Sequence, residues 1–134
     1  MIPTPPLFVH SQKLWTATPG DDPRTLANGG PTGTGGVGAR NGIVVTKTGL
    51  VFQAGNDGKV RAFDEDTGRV LWTGSIAGQS LGIPAMYEAK GRQFLVMMSP
   101  APGAGGGAAG AAGAAPQVSP DTPRGYIAFA LSNR

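Results

Sequence analysis

The run Ala62-Phe63-Asp64-Glu65-Asp66-Thr67-Gly68-Arg69-Val70-Leu71-Trp72 constrains this chain more than any other stretch. It predicts a short strand ending at Asp64, a tight turn through Asp66-Thr67-Gly68, and a second strand carrying Trp72. Each residue type has a mechanical role. A carboxylate at Asp64 accepts hydrogen bonds from turn amides. Gly68 supplies the positive φ that such a turn often needs. Ala62 leaves room for a close neighbour. Trp72 offers a broad flat face and an indole N–H for a partner. An ordinary hairpin with a Thr-Gly turn fits the run equally well in isolation, so the flanking sequence decides.

The flanks repeat the same grammar. Ile43-Val44-Val45-Thr46 is an apolar run, Thr48-Gly49 turns it into Leu50-Val51-Phe52, and Asn56-Asp57-Gly58 is a strong hairpin signal. Lys59 to Asp64 alternates, and Val70-Leu71-Trp72 follows the Thr-Gly turn. Four short strands joined by tight turns predict an antiparallel meander, the form of one β-propeller blade. The pattern then recurs. Gly42-Ile43 returns as Gly82-Ile83, a spacing within the ~40–45 residues of some blade repeats. Ile83 to Glu88 is expected to be the innermost strand of a second blade, Lys90-Gly91 its hairpin, and Phe94-Leu95-Val96-Met97 its second strand. Ala62-Phe63 returns as Ala128-Phe129 only after a long insertion. No Asp-x-x-Thr-Gly turn and no tryptophan follow Leu131.

The expected fold is therefore all-β, a partial β-propeller of about two four-stranded antiparallel blades, the last one incomplete. Residues 1–41 read as an irregular segment, with short strands at Leu7-Phe8-Val9-His10 and Leu14-Trp15 and a loop from Thr18 to Asn41. Residues 42–131 are the propeller part, with one blade over 42–76 and the incomplete last blade over 82–131. Residues 100–124 form a Gly/Ala/Pro-rich insertion, expected to be a flexible loop. The last blade ends in an unpaired edge, and proteins cover such edges. Two blades do not close a ring, since propellers usually have about four to eight. The chain is thus expected to be the C-terminal end of a longer propeller.

Composition excludes several function classes. The 134 residues include 23 glycines and 12 prolines, and only 14% are charged, against about 25% in ordinary globular chains. The net charge of +3 forms no basic stripe, which argues against nucleic-acid binding. There is no cysteine, hence no disulfide and no thiolate metal site. No stretch approaches the ~18 apolar residues of a membrane span. The N-terminal residues carry no basic region followed by an apolar run, so no signal peptide is read there.

The spacing Ala62-x-Asp64-x-x-Thr67-Gly68-x-x-x-Trp72 resembles the repeat that docks blade to blade in quinoprotein dehydrogenases, propellers that bind pyrroloquinoline quinone (PQQ). Gly29-Gly30-Pro31, the run from Thr46 to Phe52, Arg61-Ala62-Phe63-Asp64, Pro84-Ala85-Met86-Tyr87-Glu88 and Gly91-Arg92-Gln93-Phe94 are similar to the C-terminal region of membrane glucose dehydrogenase-like quinoproteins. Tyr126 to Leu131 resembles that family's terminal strand. The resemblance implies an eight-bladed propeller with the quinone near its axis, held with calcium, and hydride transfer from a sugar or alcohol aided by a carboxylate base. It also implies a periplasmic or cell-envelope setting. The family's metal ligands and catalytic aspartate lie in earlier blades, so no catalytic or metal residue carries over. The chain alone is expected neither to oxidise a substrate nor to hold the quinone tightly. Its partners are then the remaining blades of a longer chain, or other copies of itself. Where the family often has Gly-Gly-His, this sequence has Ser99-Pro100-Ala101-Pro102. That departure keeps open an alternative: a non-catalytic propeller acting as a binding or assembly scaffold.

The candidate cofactor-lining residues are Gln79, Ser80 and Gly82, with Leu81 between them, because loops before an innermost strand face one mouth of the axial channel. The docking residues are Ala62, Asp64, Thr67, Gly68 and Trp72. Gly33-Thr34-Gly35-Gly36-Val37-Gly38 matches GxGxxG but lacks the preceding strand and following helix of a dinucleotide site. His10 has no acidic partner close in sequence. Glu65 and Asp66 read as solvated charges and Met86, Met97 and Met98 as core filler. Trp15 fits no repeat.

Overall fold

The computed structural model describes residues 12–35, 41–78, 80, 82–99 and 121–131. Two antiparallel sheets dominate. Sheet 1 has the order β1-β2-β3-β4, from β1 (Ile43–Val45), β2 (Leu50–Ala54), β3 (Lys59–Asp64) and β4 (Val70–Ser75). Sheet 2 has the order β5-β6-β7, from β5 (Ala85–Ala89), β6 (Arg92–Ser99) and β7 (Gly125–Ala130). The turns fall where glycine permits them: Gly58 and Gly68 have φ of 72° and 69°. Strand β5 begins at Ala85 rather than Ile83, because Pro84 has no N–H to contribute to a ladder. Most of the insertion, residues 100–120, lies outside the described residues, as does the expected strand at residues 7–10.

Register sorts the side chains of sheet 1 onto two faces. Phe52 pairs Ala62 and Ala54 pairs Val60, so all four share one face. They form the core with Ile76 and, from sheet 2, Leu95 and Met97, every one of them buried. Burying a side chain of this size contributes about 1.5–3 kcal/mol. On the opposite face Val51 pairs Phe63 and Gln53 pairs Arg61. That face is covered by the N-terminal segment: Trp15 stacks on Phe63, and Pro19 accepts a hydrogen bond from Arg61. A bulge falls between β3 and β4, where Ala62 pairs Trp72 but Phe63 pairs Val70. The unpaired Leu71 lets Trp72 join the inner face beside Ala62.

Two readings of the N-terminal segment are corrected. No strand occurs at Leu14-Trp15, which joins no ladder among the described residues. Within the expected loop, Pro23–Ala27 is a short helix, α1. Asp22 caps it, accepting from the Thr25 N–H at 3.2 Å and the Thr25 hydroxyl at 2.8 Å, and Pro23 opens it. An acidic cap followed by proline is a helix start. The turn-rich composition around it hid that signal.

Candidate functional site

The two ends of sheet 1 differ in chemistry. One end holds the turns between β1 and β2 and between β3 and β4, joined where the Glu65 N–H donates to the Gly49 carbonyl at 3.0 Å. Here Asp64 accepts from the N–H groups of Asp66 (3.2 Å) and Thr67 (2.9 Å) and from the Thr67 hydroxyl (2.7 Å). The Gly68 N–H closes the turn on the Asp64 carbonyl at 2.9 Å. The Thr67 hydroxyl above all holds the Asp64 carboxyl below its ordinary value of 3.8.

Trp15 grips this turn from outside. Its indole N–H donates to the Glu65 carbonyl at 2.7 Å, and its ring lies on Phe63 at 6.3 Å and 22°. A Cβ on Gly68 would sit 2.5 Å from the indole. Glycine is thus needed here for close approach as well as for φ. Trp15 is the residue the sequence left unassigned, and the signal that finds it is the shared Leu-Trp pair: Leu14-Trp15 repeats Leu71-Trp72.

Trp72 occupies the corresponding place at the second sheet, and its lock is incomplete. It meets Phe129, the repeat partner of Phe63, edge-on at 5.2 Å and 73°. Ala130 stands where Asp64 stands in the first copy, so no carboxylate gathers turn amides there. Between the sheets at this end lies a cavity of about 700 Å³, lined mainly by apolar groups including Phe52, Trp72, Phe129 and Leu131, with Glu88 at its rim.

The opposite end is polar. It holds the β2–β3 turn, the start of β1 and the exit of β4, tied together by Ile76 N–H to Gly58 carbonyl (2.8 Å) and Asn41 side-chain N–H to Ala54 carbonyl (3.2 Å). Three buried oxygens at this end, Asn41 Oδ1, Asn56 Oδ1 and Ser80 Oγ, have no hydrogen-bond partner among the described residues. Buried polar atoms are rarely left so. Of the three candidate lining residues, Ser80 is 1% exposed. A Cβ at Gly82 would meet nothing within 4 Å, so no close approach demands glycine there. Gln79 lies outside the described residues. Nearby, the Ala77 N–H donates to Ser99 Oγ at 2.7 Å, and that hydroxyl donates to the Pro123 carbonyl at 2.9 Å. Ser99, where the family motif departs, is a structural staple. Among the described residues no group of three His, Cys, Asp or Glu is placed to hold a metal. No described helix is long and apolar enough to cross a membrane.

Two antiparallel meanders packed face to face, with a tryptophan locking an outer turn, define a β-propeller segment of the quinoprotein type. The family model for the PQQ glucose/ethanol/alcohol dehydrogenase β-propeller domain matches residues 8–95. The chain belongs to that family. It is 42% identical over 65 residues to lupanine 17-hydroxylase [cytochrome c] of Pseudomonas sp, covering 48% of this chain and 9% of that protein. It is 38% identical over 95 residues to the glycerol dehydrogenase large subunit of Gluconobacter thailandicus, covering 67% of this chain and 13% of that protein. The solved structure of quinohemoprotein alcohol dehydrogenase ADHIIG from Pseudomonas putida HK5 aligns at TM-score 0.42 and 35% identity, over 44% of this chain and 9% of that one. The chain spans roughly a tenth of the length of these relatives.

The Asp64 turn makes a pH prediction. Its carboxyl is depressed in the folded state, so the ionised form contributes stability above the ordinary carboxylate range. That contribution is lost as pH falls below about 4 through the folded value. Asp64→Asn should lower the urea midpoint at pH 7 and flatten its fall toward pH 3. Equal acid slopes in the two proteins would refute the assignment.

Proposed function

We propose that this chain supplies two neighbouring blades to a quinone-dependent dehydrogenase that oxidises a sugar or alcohol in the periplasm or cell envelope. The observation that carries the reading is the Trp15 lock. A tryptophan outside sheet 1 bonds the Glu65 carbonyl and lies on Gly68, the contact by which one blade holds the next. The repeated Leu71-Trp72 at the following sheet supports a serial arrangement. Among the described residues no strand pairs the outer edge of β7, which supports ring closure by a strand from elsewhere in the longer protein. The polar end is the wall that faces the cofactor. Ser80 belongs to the connection between β4 and β5 at that end, the side on which the candidate cofactor-lining residues lie. Bound PQQ supplies the hydride acceptor. Calcium and the proton-accepting carboxylate come from blades outside this chain.

The test pairs the 134-residue chain with a longer protein read from the sequence upstream of Met1. The longer protein should bind PQQ stoichiometrically with calcium and reduce a dye in the presence of an alcohol or sugar. The chain alone should do neither. A longer protein that folds and binds no quinone leaves the scaffold reading in its place.

A further inference from the structure

The lock that Trp15 makes on sheet 1 has no finished counterpart on sheet 2, although the two sheets share one plan. Phe52 pairs Ala62 and Val96 pairs Ala128, so Asp64, Glu65 and Gly68 of the first blade stand in line with Ala130, Leu131 and Arg134 of the second. The plan holds as far as Leu131. Its N–H donates to the Gln93 carbonyl at 2.9 Å, as the Glu65 N–H donates to the Gly49 carbonyl at 3.0 Å. Beyond that point the sequence does not permit the same turn. Gly68 has a φ of 69° and leaves no room for a side chain beside the indole, and arginine stands in line with it.

The consequence falls on Trp72. Trp15 lies nearly parallel to Phe63 and directs its N–H to the Glu65 carbonyl. Trp72 meets Phe129 edge-on, is 38% exposed, and its N–H has no acceptor among the described residues. The cavity of about 700 Å³ opens at this place, with Trp72, Phe129 and Leu131 in its wall. Its rim carries Glu88, which makes no ion pair among the described residues. Gln93 lies between Leu131 and Glu88 in the ladder, so Glu88 stands two strands from Leu131, about 10 Å away.

We propose that the cavity is the seat of a turn contributed by another segment of the longer protein, the segment that leads into the strand pairing with β7. The turn presents a backbone carbonyl to the Trp72 N–H, an apolar side chain to Phe52 and Phe129, and a basic side chain to Glu88. The inference rests on the reading that a strand from elsewhere closes the ring, and it names what that strand brings with it. Three observations favour this occupant. In sheet 1 the outer strand β4 starts just after the turn at Asp66-Thr67-Gly68, so a strand pairing with β7 in the same sense starts beside Leu131. The cavity is continuous with the core between the sheets, since Phe52 belongs to both. Its walls are apolar and its rim carries a carboxylate, which complements a turn with one apolar and one basic residue.

The test places one cysteine in the mouth, Gln93→Cys, since the 134 residues contain none. In the 134-residue chain this thiol should react readily with a maleimide. In the longer protein its rate, read by peptide mapping, should fall about tenfold or more, because the turn must first move away. A benzophenone maleimide at the same site should crosslink within the longer protein, to residues next to the strand that pairs with β7. Trp72→Phe keeps an apolar ring and loses the donor. It should speed labelling severalfold in the longer protein and leave it unchanged in the 134-residue chain. Equal labelling in both proteins, with the outer-edge amides of β7 protected from exchange in the longer one, overturns the seat and leaves ring closure standing. A crosslink to a separate polypeptide overturns the choice of occupant. Trp72→Phe without effect overturns the hydrogen bond. Unprotected outer-edge amides on β7 in the longer protein overturn both the seat and the reading beneath it.

Discussion

Trp15→Ala should cost about 3 kcal/mol of unfolding free energy, a loss few single changes outside the core would match. The substitution removes a large aromatic face from Phe63 and Gly68 and the 2.7 Å hydrogen bond to the Glu65 carbonyl. It also uncovers the outer face of sheet 1, where Val51 and Phe63 lie. Trp15→Phe separates the two effects. It keeps most of the apolar contact and loses the indole donor, which should cost about 1 kcal/mol. A double-mutant cycle with Gly68→Ala isolates the lock itself. The added methyl strains the φ of 69° and collides with the indole, so part of its cost should vanish once Trp15 is gone. Strict additivity of the two changes would mean that the ring does not rest on the turn.

The contrast between Asp64 and Trp15 shows what was legible in the sequence. The Asp64 turn is local: donor and acceptor lie two or three residues apart, and Asp, Thr and Gly each have few alternative uses at that spacing. Alternation and hairpin residues likewise revealed the strands around it. Trp15 bonds a residue 50 positions away, and Arg61 holds a carbonyl 42 positions away. No periodicity encodes such a contact. What betrays it is internal echo, Leu14-Trp15 against Leu71-Trp72, which gains meaning only once one of the two is seen at work. Helix α1 was hidden for a different reason. Its cap and its proline are also turn residues, and composition outweighed their order. The polar end was legible only as the placement of a loop. That Ser80 is buried without a partner depends on tertiary packing, which no single strand announces.

Leu95→Ala should cost about 3–4 kcal/mol. Leu95 is 0% exposed on β6, the central strand of sheet 2, and belongs to the cluster that includes Phe52, Ala54, Val60 and Ala62 of sheet 1. Truncation removes its apolar surface and leaves a void that flanking strands on both sides keep from collapsing. A domain of this size has about 5–15 kcal/mol in hand, so the variant approaches half unfolded under mild denaturant. The two sheets share this core, and neither has an apolar interior of its own. Their unfolding should therefore remain coupled. Trp15, which lies against sheet 1, and Tyr87, which stacks on Phe94 in sheet 2, provide separate optical probes once Trp72 and the exposed Tyr126 are replaced by phenylalanine. Both transitions should move to lower urea together in Leu95→Ala. A variant in which the Tyr87 transition shifts and the Trp15 transition stays in place would show that each sheet holds itself together. The sheets would then be separate units resting on one another, and the shared core would not be what joins them.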